Sequence, residues 1–467
     1  MASEHGPASG SPHRELVRTK PTREEFIIRG ASILTMAPTG HDILEGDIHI
    51  NDGVIAGVGG SISSASAKII DGKDMIVAPG LVDTHWHMWT SLMRNMASNV
   101  PGRAYFPLTT AIGNCYEPAD MYVATLLSAA EALNAGITTV HDWCHNIRTF
   151  DHAINAVRAL ADAGVRGRFA YGPSRALAAT QPLAVDGFIR LYDDWQSYAQ
   201  GGLLTLGLAW RGVQSAQRAA DGSLHSTPVS PSVYRLDYDA ARARQLPISL
   251  HANASATDRG HVAALEDLGL LCKGMQLIHC TEISQPEIDA IAARHAVVTV
   301  SPYTAMVIGY GVPPLRSFVD SGIPLGLSVD STPLCGSANP FELTKVAQNL
   351  YNSSAHSEVG MTAERALRLV TVEAARTLGL ADRIGTIEPG KRADLILIDK
   401  NKLHMSPLTD LHHTVVHSVN IGDIDTVFVD GCMVKRNGKL TCIDTETLMR
   451  TARDASRSLW DKAFPPR

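Results

Sequence analysis

The sequence predicts an α/β protein built on a (β/α)8 TIM barrel, with a small β-domain assembled from both chain ends. Between residues 75 and 381, eight short apolar runs alternate with Ala-rich helical stretches. Parallel strands need such crossovers, and eight strands with crossovers indicate a closed barrel more readily than an open sheet. Short alternating segments broken by glycine fill residues 26–74, and very similar text returns in residues 382–445. One β-domain fed by both ends is the economical reading.

In chain order, residues 1–25 are rich in Ser, Gly, Pro and charge and lack an apolar signal-peptide core, so a mobile or surface-draped tail is expected. The β-domain opens with Phe26-Ile27-Ile28-Arg29, and Asp52-Gly53 between two apolar runs signals a hairpin. The eight barrel runs end near Asp83-Thr84-His85, His141, Tyr171, Trp210, His251, His279, Ser301 and Asp330. Helical segments at 118–135, 151–163, 233–244 and 284–295 separate most of them. A helical segment over 446–467 closes the chain.

The chain has 467 residues, 45% of them hydrophobic, and a formal net charge of -6 without any basic block. That balance offers nothing to nucleic acid or an anionic membrane and points to a small-molecule substrate. No apolar run reaches the length of a membrane-spanning helix. Seven scattered cysteines without a C-x-x-C pair fit a reducing cytoplasm and argue against a disulfide framework or a cysteine-based zinc site.

The chemistry is concentrated in Ala78-Pro79-Gly80-Leu81-Val82-Asp83-Thr84-His85-Trp86-His87-Met88. Two histidines one residue apart on a strand share a face, which suits a common metal. The same alternation turns Trp86 away, making Trp89 the better candidate for a pocket wall. His251, His279 and Asp330 end later strands, and in a barrel all those ends meet at one mouth. His145, in a cluster taken as the loop after the second strand, is a candidate substrate contact, as are Tyr303 and Met306 after the seventh. Few charged side chains fall in these loops beyond Arg94, Arg175 and Arg211, so an uncharged, partly apolar substrate is expected.

These motifs resemble the metal-dependent amidohydrolase superfamily, from residue 26 to residue 434. Pro79-Gly80-Leu81-Val82-Asp83-Thr84-His85-Trp86-His87 and Pro389-Gly390-Lys391-Arg392-Ala393-Asp394-Leu395 are similar to its opening and closing signatures. The resemblance implies a barrel with a composite β-sandwich. Its binuclear members carry a carboxylated lysine at the end of strand four, where this chain has Trp210-Arg211-Gly212. That difference implies the mononuclear branch of cytosine deaminases and triazine hydrolases, with His85, His87, His251 and Asp330 as ligands of one divalent ion per subunit. Zinc is the default ion, and Fe, Co or Mn would accept the same donors. Asp330 is implied as the proton carrier and His279 as a partner of the attacking water or a ligand; the alternative for His279 is a purely structural partner.

Deaminases of the branch place a glutamate three residues after the strand-five histidine, and this chain has Ala254 there. An alanine cannot carry a proton. Text around Tyr116-Glu117-Pro118-Ala119-Asp120-Met121-Tyr122 and Asp142-Trp143 resembles phenylurea hydrolases and molinate hydrolase. The expected reaction is therefore hydrolysis of an amide, urea or (thio)carbamate bond in a small, largely apolar compound such as a xenobiotic. The alternative is an aminohydrolase or dechlorinase acting on an N-heterocycle such as a triazine, pyrimidine or purine. A third reading is a non-catalytic scaffold resembling dihydropyrimidinase-like proteins. The resemblance also implies a homo-oligomer.

Overall fold

A computed structural model describes the chain except residues 1–13, 19–21, 39–40, 99, 101, 175–176, 200, 219–223 and 466–467. Most of the expected tail therefore lies outside the described residues, as does Arg175. Residues 14–18 are anchored: Arg18 N–H donates to Cys442 O at 2.8 Å and Asp444 N–H to Leu16 O at 3.0 Å.

The barrel strands are β1 (Leu81–Trp86), β2 (Ile137–Ile147), β3 (Arg166–Pro173), β4 (Leu204–Ala209), β5 (Ile248–Ala252), β6 (Gln276–His279), β7 (Val297–Val300) and β8 (Leu325–Leu327). Neighbours pair in parallel in sequence order. Their side chains are buried almost throughout, because the barrel interior covers one face and the helices the other. The long helix Pro118–Asn134 begins where Glu117 and Asp120 form a reciprocal capping box with proline in the first turn. Gln285–Ala293 starts the same way with Ser284 and Glu287.

The seam between β8 and β1 is closed by residues around the site itself. Trp86 and Asp330 form a parallel bridge, with His87 N–H donating to Asp330 O at 2.7 Å and Asp330 N–H to His85 O at 3.1 Å. Asp83 reinforces it, accepting from Val329 N–H at 2.8 Å and His85 N–H at 3.1 Å. Thr84 Oγ1 donates to Leu327 O at 3.0 Å, and only a glycine at 326 leaves room for Thr84 so close to β8.

Both chain ends build a nine-stranded sheet. Phe26–Ile33 pairs with Lys68–Asp71 along one half and with Met75–Pro79 along the other, which lets the sheet fold back on itself. Ile48, Ile50 and Ile55 from one arm and Leu395, Leu397 and Phe428 from the other then share a core, like the layers of a sandwich. Met75–Pro79, assigned to the barrel by the sequence reading, pairs here with Leu395–Asp399. The expected hairpin turn has positive φ at both Asp52 (48°) and Gly53 (74°), as a two-residue loop matching the strand twist requires. Thr445–Ala463 forms the C-terminal helix.

Candidate active site

The alternation read from the sequence places the imidazoles together. One nitrogen each from His85, His87 and His251 lies within 4.8 Å of the others. Asp330 Oδ1 lies 3.2 Å from Nε2 of His85 and 3.2 Å from Nε2 of His87. His279 Nε2 is 3.9 Å from Asp330 Oδ2, and its ring stacks on His251 at 5.1 Å.

Several features fit this set to a divalent ion. Among the described residues neither ring nitrogen of the fully buried His85 makes a hydrogen bond, an arrangement that would be costly without a ligand. His87 Nδ1 lies 2.9 Å from the Trp143 carbonyl, which can only accept; the proton is therefore on Nδ1 and the Nε2 lone pair faces the cluster. Burial, then neighbouring imidazoles, pushes His85 and His251 well below the ordinary histidine pKa, keeping them neutral and able to ligate. Three imidazoles beside a carboxylate are a donor set that zinc favours.

The backbone is strained at the same place. Asn253 (φ 47°), His279 (74°), Cys280 (48°) and Asp330 (61°) all lie in the left-handed region at the ends of β5, β6 and β8. Each such residue costs about 1–3 kcal/mol, a strain that clusters at functional sites.

A cavity of about 560 Å3 opens beside the cluster, walled by the rings of Tyr105, Phe106, Trp143, Trp210 and Tyr310. His87, His145, His251, His279 and Asp330 face it, together with Arg211 and Asp258. Arg211 donates to the Ala178 carbonyl at 3.0 Å and faces Asp237 at 3.6 Å, so it holds the neighbouring loop while lining the cavity. Arg94 is instead paired with Glu131.

Strand β2 runs through Ile147, so the cluster expected in a loop after it lies within it. Period-two alternation therefore puts His141, Trp143 and His145 on one face. His145 lines the cavity, 4.1 Å from the His87 ring. Trp89 Nε1–H donates to His145 Nδ1 at 3.3 Å, which places the proton of the neutral ring on Nε2.

Three expected substrate contacts are elsewhere. Trp89 is buried behind His145 against Tyr116 and does not form the wall. Tyr303 and Met306 also miss the cavity, because Pro302–Val307 is helical. The helical period brings Thr304 and Ile308, four apart, to the cavity face and turns 303 and 306 aside. The sequence reading missed the wall from Tyr105–Gly113, whose signal is the adjacent aromatic pair Tyr105-Phe106. It also missed Trp210, noticed only for the lysine it replaces, and Asp258, which carries no local signal.

A parallel barrel with buried imidazoles and a carboxylate at its C-terminal mouth defines a metal-dependent hydrolase. The amidohydrolase family model matches residues 76–434, and the chain belongs to that family, as a hydrolase acting on carbon–nitrogen bonds. It is 27% identical over 456 residues to the 5-methylthioadenosine/S-adenosylhomocysteine deaminase of Desulforudis audaxviator, covering 93% of this chain and 99% of that one. It is 26% identical over 460 residues to the 5′-deoxyadenosine deaminase of Methanosarcina acetivorans, with coverage of 94% and 99%. The fold is similar to a zinc-bound adenosine deaminase from Xanthomonas campestris (TM-score 0.81, 20% identity, 94% and 99% coverage). It is also similar to the zinc complex of atrazine chlorohydrolase from Arthrobacter aurescens (TM-score 0.78, 20% identity, 92% and 100% coverage). No helix among the described residues is long and apolar enough to cross a membrane.

Proposed function

We propose that the protein is an aminohydrolase that removes an exocyclic amine from an aromatic N-heterocycle, an adenine nucleoside being the first substrate to test. The observation that carries this reading is the cavity wall: five aromatic rings around a space of about 560 Å3, beside the imidazole cluster. Flat rings stack against such walls, and the volume suits one small molecule. The deaminases of adenine nucleosides among its relatives support the same choice.

His85, His87, His251 and Asp330 would hold one divalent ion, zinc by preference. When bound, the ion supplies acidification of water to near neutral pH and electrophilic pull on the substrate. Asp330 takes the proton of the attacking water and passes it to the departing amine. His279 hydrogen-bonds the water or the developing oxyanion. His145, its Nδ1 occupied by the Trp89 N–H, turns its Nε2–H to the leaving group. The aromatic wall holds the ring and excludes bulk water.

Ala254 favours a second reading. With no carboxyl at that position, cleavage of an amide, urea or (thio)carbamate needs no proton delivered to a ring nitrogen and becomes the competing reaction. Seven free cysteines support a reducing cytoplasm as the setting. A homo-oligomer is the expected assembly.

The test is a product assay with metal-loaded enzyme. Ammonia released from 5′-deoxyadenosine, 5′-methylthioadenosine or an aminotriazine is the expected result. Aniline released from arylureas or anilides, with no ammonia from any aminoheterocycle, would select the second reading.

A further inference from the structure

We propose that Asp258 is a catalytic residue, the group that gives a proton to the ring nitrogen of the bound heterocycle, and that His261 is its positioning residue. The proposal rests on the aminohydrolase reading. Among the described residues the acidic side chains lining the cavity are Asp258 and Asp330. Asp330 is engaged with the imidazoles and handles the proton passing from water to amine. Attack on a heteroaromatic carbon also pushes an electron pair onto the adjacent ring nitrogen, and that pair needs a second proton donor.

Asp258 is placed for this task. It closes the short turn Ala256–Asp258 after β5, is almost wholly buried, and accepts the Ala254 N–H at 3.3 Å through Oδ2. Its carboxyl thus lies against the backbone of residue 254, where the side chain is only a methyl. Behind it stands His261, 1% exposed, whose Nε2 accepts the Val213 N–H at 3.2 Å. The proton of the neutral ring is therefore on Nδ1, which lies 3.3 Å from Asp258 Oδ1 without the alignment of a hydrogen bond. The loop after β4 comes this close because residue 212 is a glycine with φ +75°: a Cβ there would overlap the His261 ring. A buried carboxyl held by the Ala254 N–H, with the His261 ring behind it and the substrate cavity in front, is placed to exchange a proton with a bound ring.

The protons balance. Asp258 gives a proton to the ring nitrogen while the water oxygen bonds to carbon and Asp330 takes the water's first proton. Asp330 then protonates the amine, which leaves as ammonia with the C–N electron pair. The hydroxyl on that carbon becomes a carbonyl, and its proton returns to Asp258 directly or through solvent.

The experiment uses the full-length zinc-loaded enzyme with 5′-deoxyadenosine, or with the best aminoheterocycle of the product assay. Asp258→Asn is expected to lower kcat at least about 100-fold, with zinc content, melting temperature and KM near the parent's. Ala254→Glu in the Asp258→Asn background is expected to recover at least about tenfold of the loss, since it restores a carboxyl beside the same backbone. His261→Gln is expected to lower kcat with KM and zinc content unchanged. Should Asp258→Asn fail to fold, Asp258→Ser is read instead, and parental kcat in it, with zinc content unchanged, would overturn the proposal. Asp258→Asn activity within about threefold of the parent, or a loss matched by lost zinc, would also overturn it. A parent inactive on every aminoheterocycle would refute the reaction class itself, a result distinct from either.

Discussion

Asp330 is where the site's constraints meet. Its backbone closes the barrel seam against His85 and His87, and its carboxyl reaches their imidazoles at 3.2 Å. Its φ of 61° is tolerated because those contacts fix it. Replacing Asp330 by Ala is expected to reduce turnover by about 10³-fold or more. Steady-state rates within about tenfold of the parent would rule out its role. The imidazoles and Asp330 were legible in the sequence because strand ends in a barrel converge and His-x-His on a strand shares a face. Trp89, Tyr303 and Met306 were misplaced because the chain turns helical immediately after β1 and β7, at Met88–Met93 and Pro302–Val307. Strand arithmetic fails there. Asp258 was invisible because its role depends on Gly212 and His261, brought to it only by the fold.

At the scale of elements, the seam between β1 and β8 is the joint on which the site depends. β8 has three residues and holds β1 through Thr84, Asp83 and the Trp86–Asp330 bridge. Gly326→Ala forces a methyl into Thr84 and is expected to cost about 1–3 kcal/mol of stability. Thermal melting measures that loss, and metal analysis should show weakened retention, because the seam carries His85, His87 and Asp330. All eight strands could be read from apolar runs, since both faces are buried. The length of β2 could not: His141-Asp142-Trp143-Cys144-His145-Asn146 looks polar enough for a loop, yet every residue from Ile137 to Ile147 is buried. Asp142 fits there because burial raises its carboxyl pKa to about 7, easing the cost of its charge.

Across the whole molecule, the barrel and the sheet from the chain ends are tied by a buried ion network. Arg166, at the start of β3, donates to Asp394 at 2.7 and 2.9 Å and to Asp430 at 3.0 Å. Arg166→Met leaves Asp394 without its buried partner and is expected to destabilise the protein by about 3–5 kcal/mol, read by denaturant unfolding. Lys435 is buried in the same region and donates to Asn134 O at 2.7 Å, and burial lowers its pKa from 10.5 to about 8. Between those values the unfolded chain binds more protons than the folded one, so stability gains as pH rises from about 8 to about 10.5. Melting temperatures from pH 7 to 10.5 should show the parent gaining on Lys435→Met over that window. The union of both chain ends in one sheet was legible from repeated text, whereas Arg166 gave no hint that its partners lie 228 and 264 residues away. The most direct test of the account is to strip the enzyme with chelator and titrate zinc back while following ammonia release from an aminoheterocycle. Activity should be absent without metal and saturate at one equivalent per chain, whereas turnover by metal-free protein, or saturation only at two equivalents, would contradict it.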